Sequence, residues 1–242
     1  MTSSDRNYWN QSRSPLYSLI FTIPLFLIYE AGILLLSSDD IPSLRNGADV
    51  LMRQVLEVFG MLGVYGFGIL FMIGFILTFI LQKQRWAVTN IRSAYLLAMF
   101  AESIAWSGVL FLFMQSSRSL LMITDGKTLI QQLILAVGAG IYEEFVFRVL
   151  LISGLGVVFK VIFQWKQASA NIAGVIIAAI IFSSFHFMGN FSDNFNFGLL
   201  IVRALAGIVL GVIYVMRGFG IVAYCHTFYD LAVLTILTTA VD

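Results

Sequence analysis

Long runs of apolar residues, separated by short polar stretches, dominate the chain. Seven of these runs approach or exceed the length of about 20 apolar residues that a helix needs to cross a bilayer. They cover approximately residues 16–36, 58–81, 94–114, 129–152, 171–188, 199–216 and 220–238. The runs do not alternate between polar and apolar residues, as the strands of a membrane β-barrel do. The pattern therefore predicts an all-α, polytopic integral membrane bundle of about seven to eight transmembrane helices.

The pattern leaves two of the intervening stretches ambiguous. Residues 37–57 are mixed in polarity and predict a loop or a surface helix. Residues 153–168 are apolar but contain two lysines, which suits a short span, a re-entrant segment or an interfacial helix. We expect 153–168 to set the depth of the neighbouring helices and to shift their boundaries. We divide the chain into N-terminal transmembrane helices (1–128, about three spans) and a helical core (129–242) within one membrane domain.

The composition agrees with a membrane protein and excludes several other classes. Hydrophobic residues make up 60% of the 242 residues, charged residues make up 11%, and the mean hydropathy is +0.93. Because a soluble domain carries about 25% charged residues, a sizeable soluble domain and a disordered chain are excluded. The net charge of +1 gives no indication of a nucleic-acid partner. The single cysteine, Cys225, cannot form an intramolecular disulfide.

Basic residues near the first two apolar runs predict how the chain is oriented. Arg6 and Arg13 precede the first run, and Lys83, Arg85 and Arg92 follow the second. If the first two helices form a hairpin, both groups lie on one side, which the positive-inside rule makes cytoplasmic. We therefore predict a multi-pass protein of the plasma membrane with a cytoplasmic N-terminus.

Nine ionisable side chains lie inside the apolar runs, where insertion of each costs about 2.5–3.5 kcal/mol. They are Glu30, Glu102, Glu143, Glu144, Arg148, His186, Arg203, His226 and Asp230. Ionisable residues at membrane depth usually have a functional role, and both histidines of the chain are among these nine. Glu30 and Glu102 have no assigned role, and pairing with a buried cation such as Arg203 is the simplest interpretation.

The densest ionisable cluster is the sequence YEEFVFR, residues 142–148. Glu144 and Arg148 are four residues apart, so they share a helix face and can form an ion pair. Glu143 is rotated by about 100° from Glu144 on a helix of 3.6 residues per turn, so it can point elsewhere. Its carboxylate could then accept a proton from a substrate or from water. Taken alone, the cluster could equally be a structural Glu–Arg pair between helices.

Two further elements carry histidines. His186 ends the sequence FSSFH, and His226 and Asp230 are four residues apart in HTFYD. The spacing of His226 and Asp230 suits a metal pair, a proton relay or a histidine oriented by a carboxylate. Each element alone is also explained by hydrogen bonding within a packed core. Together, three helices supply the groups that activate water and stabilise an oxyanion in peptide hydrolysis.

The three elements, in this order, resemble the CPBP family, also called the Abi family, which includes CAAX prenyl proteases and bacteriocin-processing or self-immunity proteins. The motifs are EExxxR (Glu143, Glu144, Arg148), FxxxH (Phe182, His186) and HxxxN/D (His226, Asp230), and the resemblance covers roughly residues 130–240. It implies an all-helical intramembrane endopeptidase, CAAX-protease-like and dependent on glutamate or on a metal. Its substrate would be a membrane-associated peptide or protein, reached from the bilayer or its cytoplasmic face.

The resemblance also implies a role for each motif residue. Glu143 would be the general base on the attacking water, and His186 would help to hold that water. His226 and the residue at position 230 would line the oxyanion site. Glu144 and Arg148 would form a supporting pair.

Position 230 departs from the prenyl-protease pattern, which has Asn where this chain has Asp230. An ionised aspartate repels an oxyanion, so Asp230 must be protonated, orient His226 or bind a metal. The last option raises the possibility of a Zn²⁺ cofactor. Glu143, His186 and His226 could hold zinc with one position open for water.

Two other functions remain open at this point. Intramembrane carboxylates and histidines also form proton relays in proton-coupled transporters, although we find no inverted repeat of the kind that such proteins often carry. A non-catalytic membrane immunity or scaffold protein could retain the same motifs. Loss of function in a Glu143 variant would distinguish the peptidase from the scaffold, and proton-coupled uptake would indicate the transporter.

Overall fold

The computed structural model describes residues 8–35, 91–115, 129–188 and 194–239. Regular structure in these residues is entirely helical, which confirms the all-α prediction. The helices are α1 (Tyr8–Ser12), α2 (Pro15–Leu35), α3 (Ser93–Met114), α4 (Leu129–Gly138), α5 (Ser153–Val161), α6 (Gln167–Phe185), α7 (Phe197–Arg217) and α8 (Phe219–Thr239). Two π-helical segments, π1 (Ala139–Glu143) and π2 (Phe145–Ile152), connect α4 to α5.

Five of the described helices are long and apolar enough to cross a membrane, namely α2, α3, α6, α7 and α8. Their bounds lie within four residues of the corresponding predicted runs. The predicted helix 58–81 and the mixed stretch 37–57 lie outside the described residues. The described part of the chain is therefore compatible with the predicted polytopic bundle.

The helix predicted for 129–152 continues further than its apolar run indicated. Its backbone stays helical from residue 129 to residue 161, through α4, π1, π2 and α5. A turn at 162–166 follows, in which Gln164 adopts a φ of 54°, and α6 then begins. The ambiguous stretch 153–168 is thus the end of one helix, a turn and the start of the next. Both neighbouring boundaries are shifted, as expected.

The first half of helix α8 lies deep inside the described bundle, and the side chains of residues 221–225 are almost completely enclosed. Phe21 of α2 stacks on Tyr224 with ring centroids 4.2 Å apart, and Phe100 of α3 meets the same ring edge-on at 6.0 Å. Aromatic pairs of this kind add about 0.5–1.5 kcal/mol to the burial of their area. The packing therefore holds α8 between α2 and α3.

Small residues bring α6 and α7 close together. A Cβ atom on Gly207 would lie 3.1 Å from the backbone of Ala179, and one on Gly211 would lie 2.9 Å from a methyl group of Val175. The spacing Gly207–Gly211 is the GxxxG pattern that lets membrane helices approach closely. The tight antiparallel contact places His186, at the end of α6, near the start of α7.

The two glutamates without an assigned role have partners other than the predicted arginine. Glu30 accepts a hydrogen bond of 2.6 Å from the hydroxyl of Tyr142. Glu102 forms an ion pair with Arg217 and accepts a 2.5 Å hydrogen bond from Tyr8. The predicted pairing of Glu102 with Arg203 is wrong, because Arg217 at the end of α7 reaches Glu102 instead.

Candidate active site

A cavity of about 150 Å³ lies among α3, π1, α6, α7 and α8. Its polar lining includes four residues singled out from the sequence, Glu143, His186, His226 and Asp230. They come from three helices and are up to 87 residues apart in the chain, from 143 to 230. The structure therefore brings the carboxylates and imidazoles of the three motifs to one cavity.

The adjacent residues Glu143 and Glu144 face different surroundings. Glu143 lines the cavity, whereas Glu144 is fully enclosed behind it. Its carboxylate forms an ion pair of 3.0 Å with Arg148, the partner predicted from the spacing. The same oxygen, Glu144 Oε1, lies 2.7 Å from Nδ1 of His226 on α8. This contact between two motifs was not predicted, because sequence spacing cannot show which helix faces another.

His226 lies between two carboxylates. Nδ1 is within hydrogen-bond distance of Glu144, and Nε2 is 3.5 Å from Oδ2 of Asp230. A carboxylate holding one ring nitrogen of a histidine fixes the orientation of the ring. Glu144 therefore fixes the His226 imidazole from the enclosed side, while Asp230 contacts it from the side of the cavity.

Gly140 on π1 permits this approach between the long helix and α8. A Cβ atom at Gly140 would overlap the hydroxyl of Thr227 and the backbone carbonyl of Ala223. Thr227 follows His226, and Gly140 is one helical turn before Glu144. The absence of a side chain at this position thus allows Glu144 to reach His226.

His186 follows the last residue of α6 and turns back onto its own helix. Its Nδ1 lies 3.0 Å from the carbonyl oxygen of Phe182. Since a carbonyl oxygen can only accept, this geometry assigns the Nδ1 proton to the hydrogen bond. In the neutral ring Nε2 then carries the lone pair, which is the form that can accept a proton from water.

Phe182 connects the three motifs by packing. Its ring lies under the Arg148 guanidinium, with Cζ 4.7 Å from the ring centroid. The same ring meets His186 edge-on at 5.0 Å and His226 at 6.4 Å between centroids. A cation over an aromatic ring is stabilised by about 0.5–2 kcal/mol. Phe182 therefore links Arg148 to both histidines with a rigid apolar surface.

Arg203 and several apolar residues also line the cavity, and the sequence did not assign them to the site. Arg203 of α7 is half-buried, and its Cζ lies 5.5 Å from the ring centroid of Phe187. Its position inside an apolar run marked it as a functional candidate, but nothing in the sequence indicated which face of α7 meets the cavity. The apolar lining residues include Leu110, Met114, Ala139, Ala206 and Leu210. The cavity lining thus combines charged and apolar side chains.

The described side chains do not form a metal site. Within residues 8–35, 91–115, 129–188 and 194–239, no three His, Cys, Asp or Glu side chains are grouped closely enough to hold a metal ion. His226 also has a carboxylate at each ring nitrogen. The predicted zinc ligands Glu143, His186 and His226 share a cavity but do not fit a metal centre in this geometry. A Zn²⁺ cofactor therefore stays a prediction from the sequence.

One protein family matches part of this chain. Residues 125–232 match the family model described as type II CAAX prenyl endopeptidase Rce1-like. No curated protein and no solved structure matches the chain. The match includes all seven motif residues and agrees with the resemblance to CAAX prenyl proteases within the CPBP family. The match does not show whether the chain is similar to the bacteriocin-processing or self-immunity members of the CPBP family, so that part of the resemblance stays a prediction. Residues 125–232 of this membrane protein are thus similar to the type II CAAX prenyl endopeptidases of the Rce1-like family.

Proposed function

We propose that the chain is an intramembrane endopeptidase that hydrolyses a peptide bond in a membrane-associated protein or peptide. The observation that carries the proposal is the shared cavity, in which Glu143, His186, His226 and Asp230 meet. The family match supports peptidase chemistry. The apolar side chains of the lining suit a substrate that is itself partly apolar.

Glu143 activates the attacking water, and His186 helps to hold that water. A water held between the Glu143 carboxylate and Nε2 of His186 would lose a proton to Glu143 as its oxygen attacks the carbonyl carbon of the substrate. Glu143 would then deliver that proton to the nitrogen of the leaving amine as the C–N bond breaks. No covalent intermediate with the protein is needed.

His226 stabilises the oxyanion that forms on the substrate carbonyl. A ring protonated on both nitrogens would donate from Nδ1 to Glu144 and present Nε2–H to the negative oxygen. Glu144 and Arg148 are positioning residues in this scheme, because Glu144 holds the ring, Arg148 holds Glu144, and neither lines the cavity. Oδ2 of Asp230 is 3.5 Å from Nε2 of His226. Asp230 orients the ring between turnovers, or in its protonated form it donates a hydrogen bond to the oxyanion.

The experiment uses the full chain in lipid nanodiscs with membrane-anchored test peptides, and it identifies products by mass spectrometry in H₂¹⁸O. We expect one ¹⁸O atom in the new carboxyl group. Glu143→Gln should lower the rate by ~10²–10⁴-fold, the usual contribution of a general base. Glu30→Gln is the matched control, since Glu30 binds Tyr142 and does not line the cavity.

Three outcomes would contradict the proposal. The first is a Glu143→Gln protein that cleaves at the wild-type rate. The second is an equal loss in Glu30→Gln, which would show that the effect is not specific to the cavity. The third is proton-coupled uptake by the wild type without any cleavage, which would favour a transporter.

A further inference from the structure

One cationic side chain in the cavity, that of Arg203 on α7, has no part in the hydrolysis scheme given above. Among the described residues that line the cavity, Arg203 is the only arginine or lysine. It is half-buried within a long apolar helix. Placing an arginine in such a span is costly, and an ionisable residue there usually has a functional role. Its position therefore calls for a function within the cavity.

The neighbours of Arg203 show which face of α7 carries it. Ala206 and Leu210 follow Arg203 by three and seven residues, so the three side chains share one helix face. All three line the cavity. The guanidinium also meets the ring of Phe187, just after the end of α6, with Cζ 5.5 Å from the ring centroid. Arg203 therefore lies in the cavity beside the segment that carries His186.

The junction of α7 and α8 gives the depth of Arg203 relative to the catalytic groups. Both helices are long and apolar enough to cross a membrane, and Gly218 alone separates them, so they run in opposite directions. Leu210 and His226 are each eight residues from Gly218 and therefore lie at a similar depth. Arg203 is seven residues before Leu210, so it lies about 10 Å along the helix axis from the level of His226.

A guanidinium in this position fits a carboxylate. Arginine is planar and pairs with a carboxylate through two parallel hydrogen bonds. Its five N–H donors allow it to keep a contact within the protein and still bind a substrate group. Glu143 and Asp230 also line the cavity, and in ionised form they repel an anionic group of the substrate. Arg203 supplies the attraction that such a group needs.

The depth of Arg203 also indicates which part of the substrate it meets. In the proposed function, the oxyanion forms beside His226. An extended peptide advances about 3.3–3.6 Å per residue. A group that binds Arg203 therefore belongs to a residue a few positions from the cleaved bond, and not to the reacting carbonyl itself.

From this arrangement we infer that Arg203 is a specificity-determining residue that binds a carboxylate of the substrate, a few residues from the cleaved bond. The inference rests on the proposed function and adds the kind of substrate group that the cavity selects. A peptide has two sources of this group, an acidic side chain and the C-terminal carboxylate. The alternative is that Arg203 acts only on carboxylates of the protein, and it then affects all peptides equally.

The test measures the binding of fluorescent, membrane-anchored peptides to the full chain in lipid nanodiscs. A Glu143→Gln background prevents cleavage during the measurement. Three peptides share one sequence: the first ends in a free carboxylate, the second ends in an amide, and the third ends in an amide but has an aspartate near its end. We expect one of the carboxylate peptides to bind at least ~10-fold tighter than the plain amide, as a hydrogen bond to a charged group allows.

Two arginine substitutions in this background locate the preference. Arg203→Gln should remove the preference and leave binding of the plain amide unchanged. Arg92→Gln is the matched control, because Arg92 is exposed at the start of α3 and does not line the cavity. It should retain the full preference. The carboxylate peptide that binds more tightly identifies the source of the group.

Four results would overturn the inference. They are equal binding of all three peptides before Arg203 is changed, an unchanged preference in Arg203→Gln, an equal loss of preference in Arg92→Gln, and weaker binding of every peptide by a folded Arg203→Gln protein. If thermal unfolding shows that Arg203→Gln is not folded, Arg203→Lys replaces it. Lysine keeps the charge but lacks the planar fork, so a smaller preference supports the inference and an unchanged one overturns it.

Cleavage by the protein with Glu143 intact separates this inference from the proposed function. The preference for a carboxylate peptide should appear chiefly in KM, because the contact lies away from the reacting atoms and is made equally in the ground state and the transition state. A protein that prefers a carboxylate peptide but cleaves none retains the Arg203 site and refutes the peptidase. A protein that cleaves all three peptides with equal KM refutes the role of Arg203 alone.

Discussion

At the scale of single residues, Glu144 is the side chain that connects the motifs. Its oxygen contacts Arg148 on its own helix and His226 on α8. The sequence predicted the first contact, because a separation of four residues places two side chains on one helix face. It could not predict the second, which depends on how two helices pack at Gly140 and Thr227.

The ion pair between Glu144 and Arg148 leads to a stability prediction. Both side chains are almost completely buried. Arg148→Met should lower the free energy of unfolding by about 3–5 kcal/mol, because it leaves Glu144 enclosed without its cation. The measurement is thermal unfolding of the purified protein in detergent.

The double variant Arg148→Met/Glu144→Gln serves as the control for that prediction. It removes both charges and should recover most of the lost stability, since the penalty comes from the unpaired charge. A double variant as unstable as Arg148→Met alone would show that Arg148 acts through its packing on Phe182 and not through its charge.

At the scale of helices, the close approach of π1 to α8 sets the geometry of the site. Gly140→Ala would place a methyl group against the carbonyl of Ala223 and the hydroxyl of Thr227. Because a backbone carbonyl cannot yield as a flexible side chain does, we expect the helices to separate and the Glu144–His226 contact to lengthen. Cleavage should fall at least ~10-fold, and stability should fall by about 1–3 kcal/mol.

Gly154→Ala is the matched control for this helix contact. Gly154 lies on the same long helix, and a Cβ atom there would meet nothing within 4 Å. Its activity should equal that of the wild type, and its stability should be unchanged or slightly higher, since alanine favours helix. Equal losses in both variants would contradict the role of the close contact.

The helices show how far an apolar pattern predicts this fold. It located α2, α3, α6, α7 and α8, because long apolar runs predict spans directly. It did not locate the end of the helix at 161, since the lysines and apolar residues of 153–168 fit several structures. Nor did it indicate the π-helical turns, because nothing in side-chain hydropathy distinguishes i→i+5 from i→i+4 hydrogen bonding.

At the scale of the whole molecule, a cluster of polar side chains connects α1 to α3 and α7 by hydrogen bonds and an ion pair. Arg217 donates to Glu102 and to Ser12, and Tyr8 donates to Glu102. The guanidinium also lies 4.0 Å from the Trp9 ring centroid. Three parts of the chain, α1, α3 and α7, therefore depend on one another through Arg217 and Glu102.

This cluster predicts a change of stability at alkaline pH. Burial, followed by the hydrogen bond to Glu102, raises the pKa of Tyr8 from 10.0 to about 12. The neutral hydroxyl therefore stabilises the fold fully below pH 10, and this contribution is lost as the pH rises through 12. Unfolding temperatures measured from pH 9 to 12 should fall less steeply for Tyr8→Phe than for the wild type. Tyr95→Phe, a change in a ring that packs on Tyr8, should retain the wild-type slope.

The central claim is that Glu143 and His186 act on the same water in one cavity. A double-mutant cycle on the cleavage rate tests it most directly, with Glu143→Gln, His186→Gln and the double variant, all checked for folding by thermal unfolding. Groups that act as a unit give non-additive losses. The account predicts that the double variant is about as slow as the slower single variant. Losses that multiply, or a wild-type rate in either single variant, would contradict it.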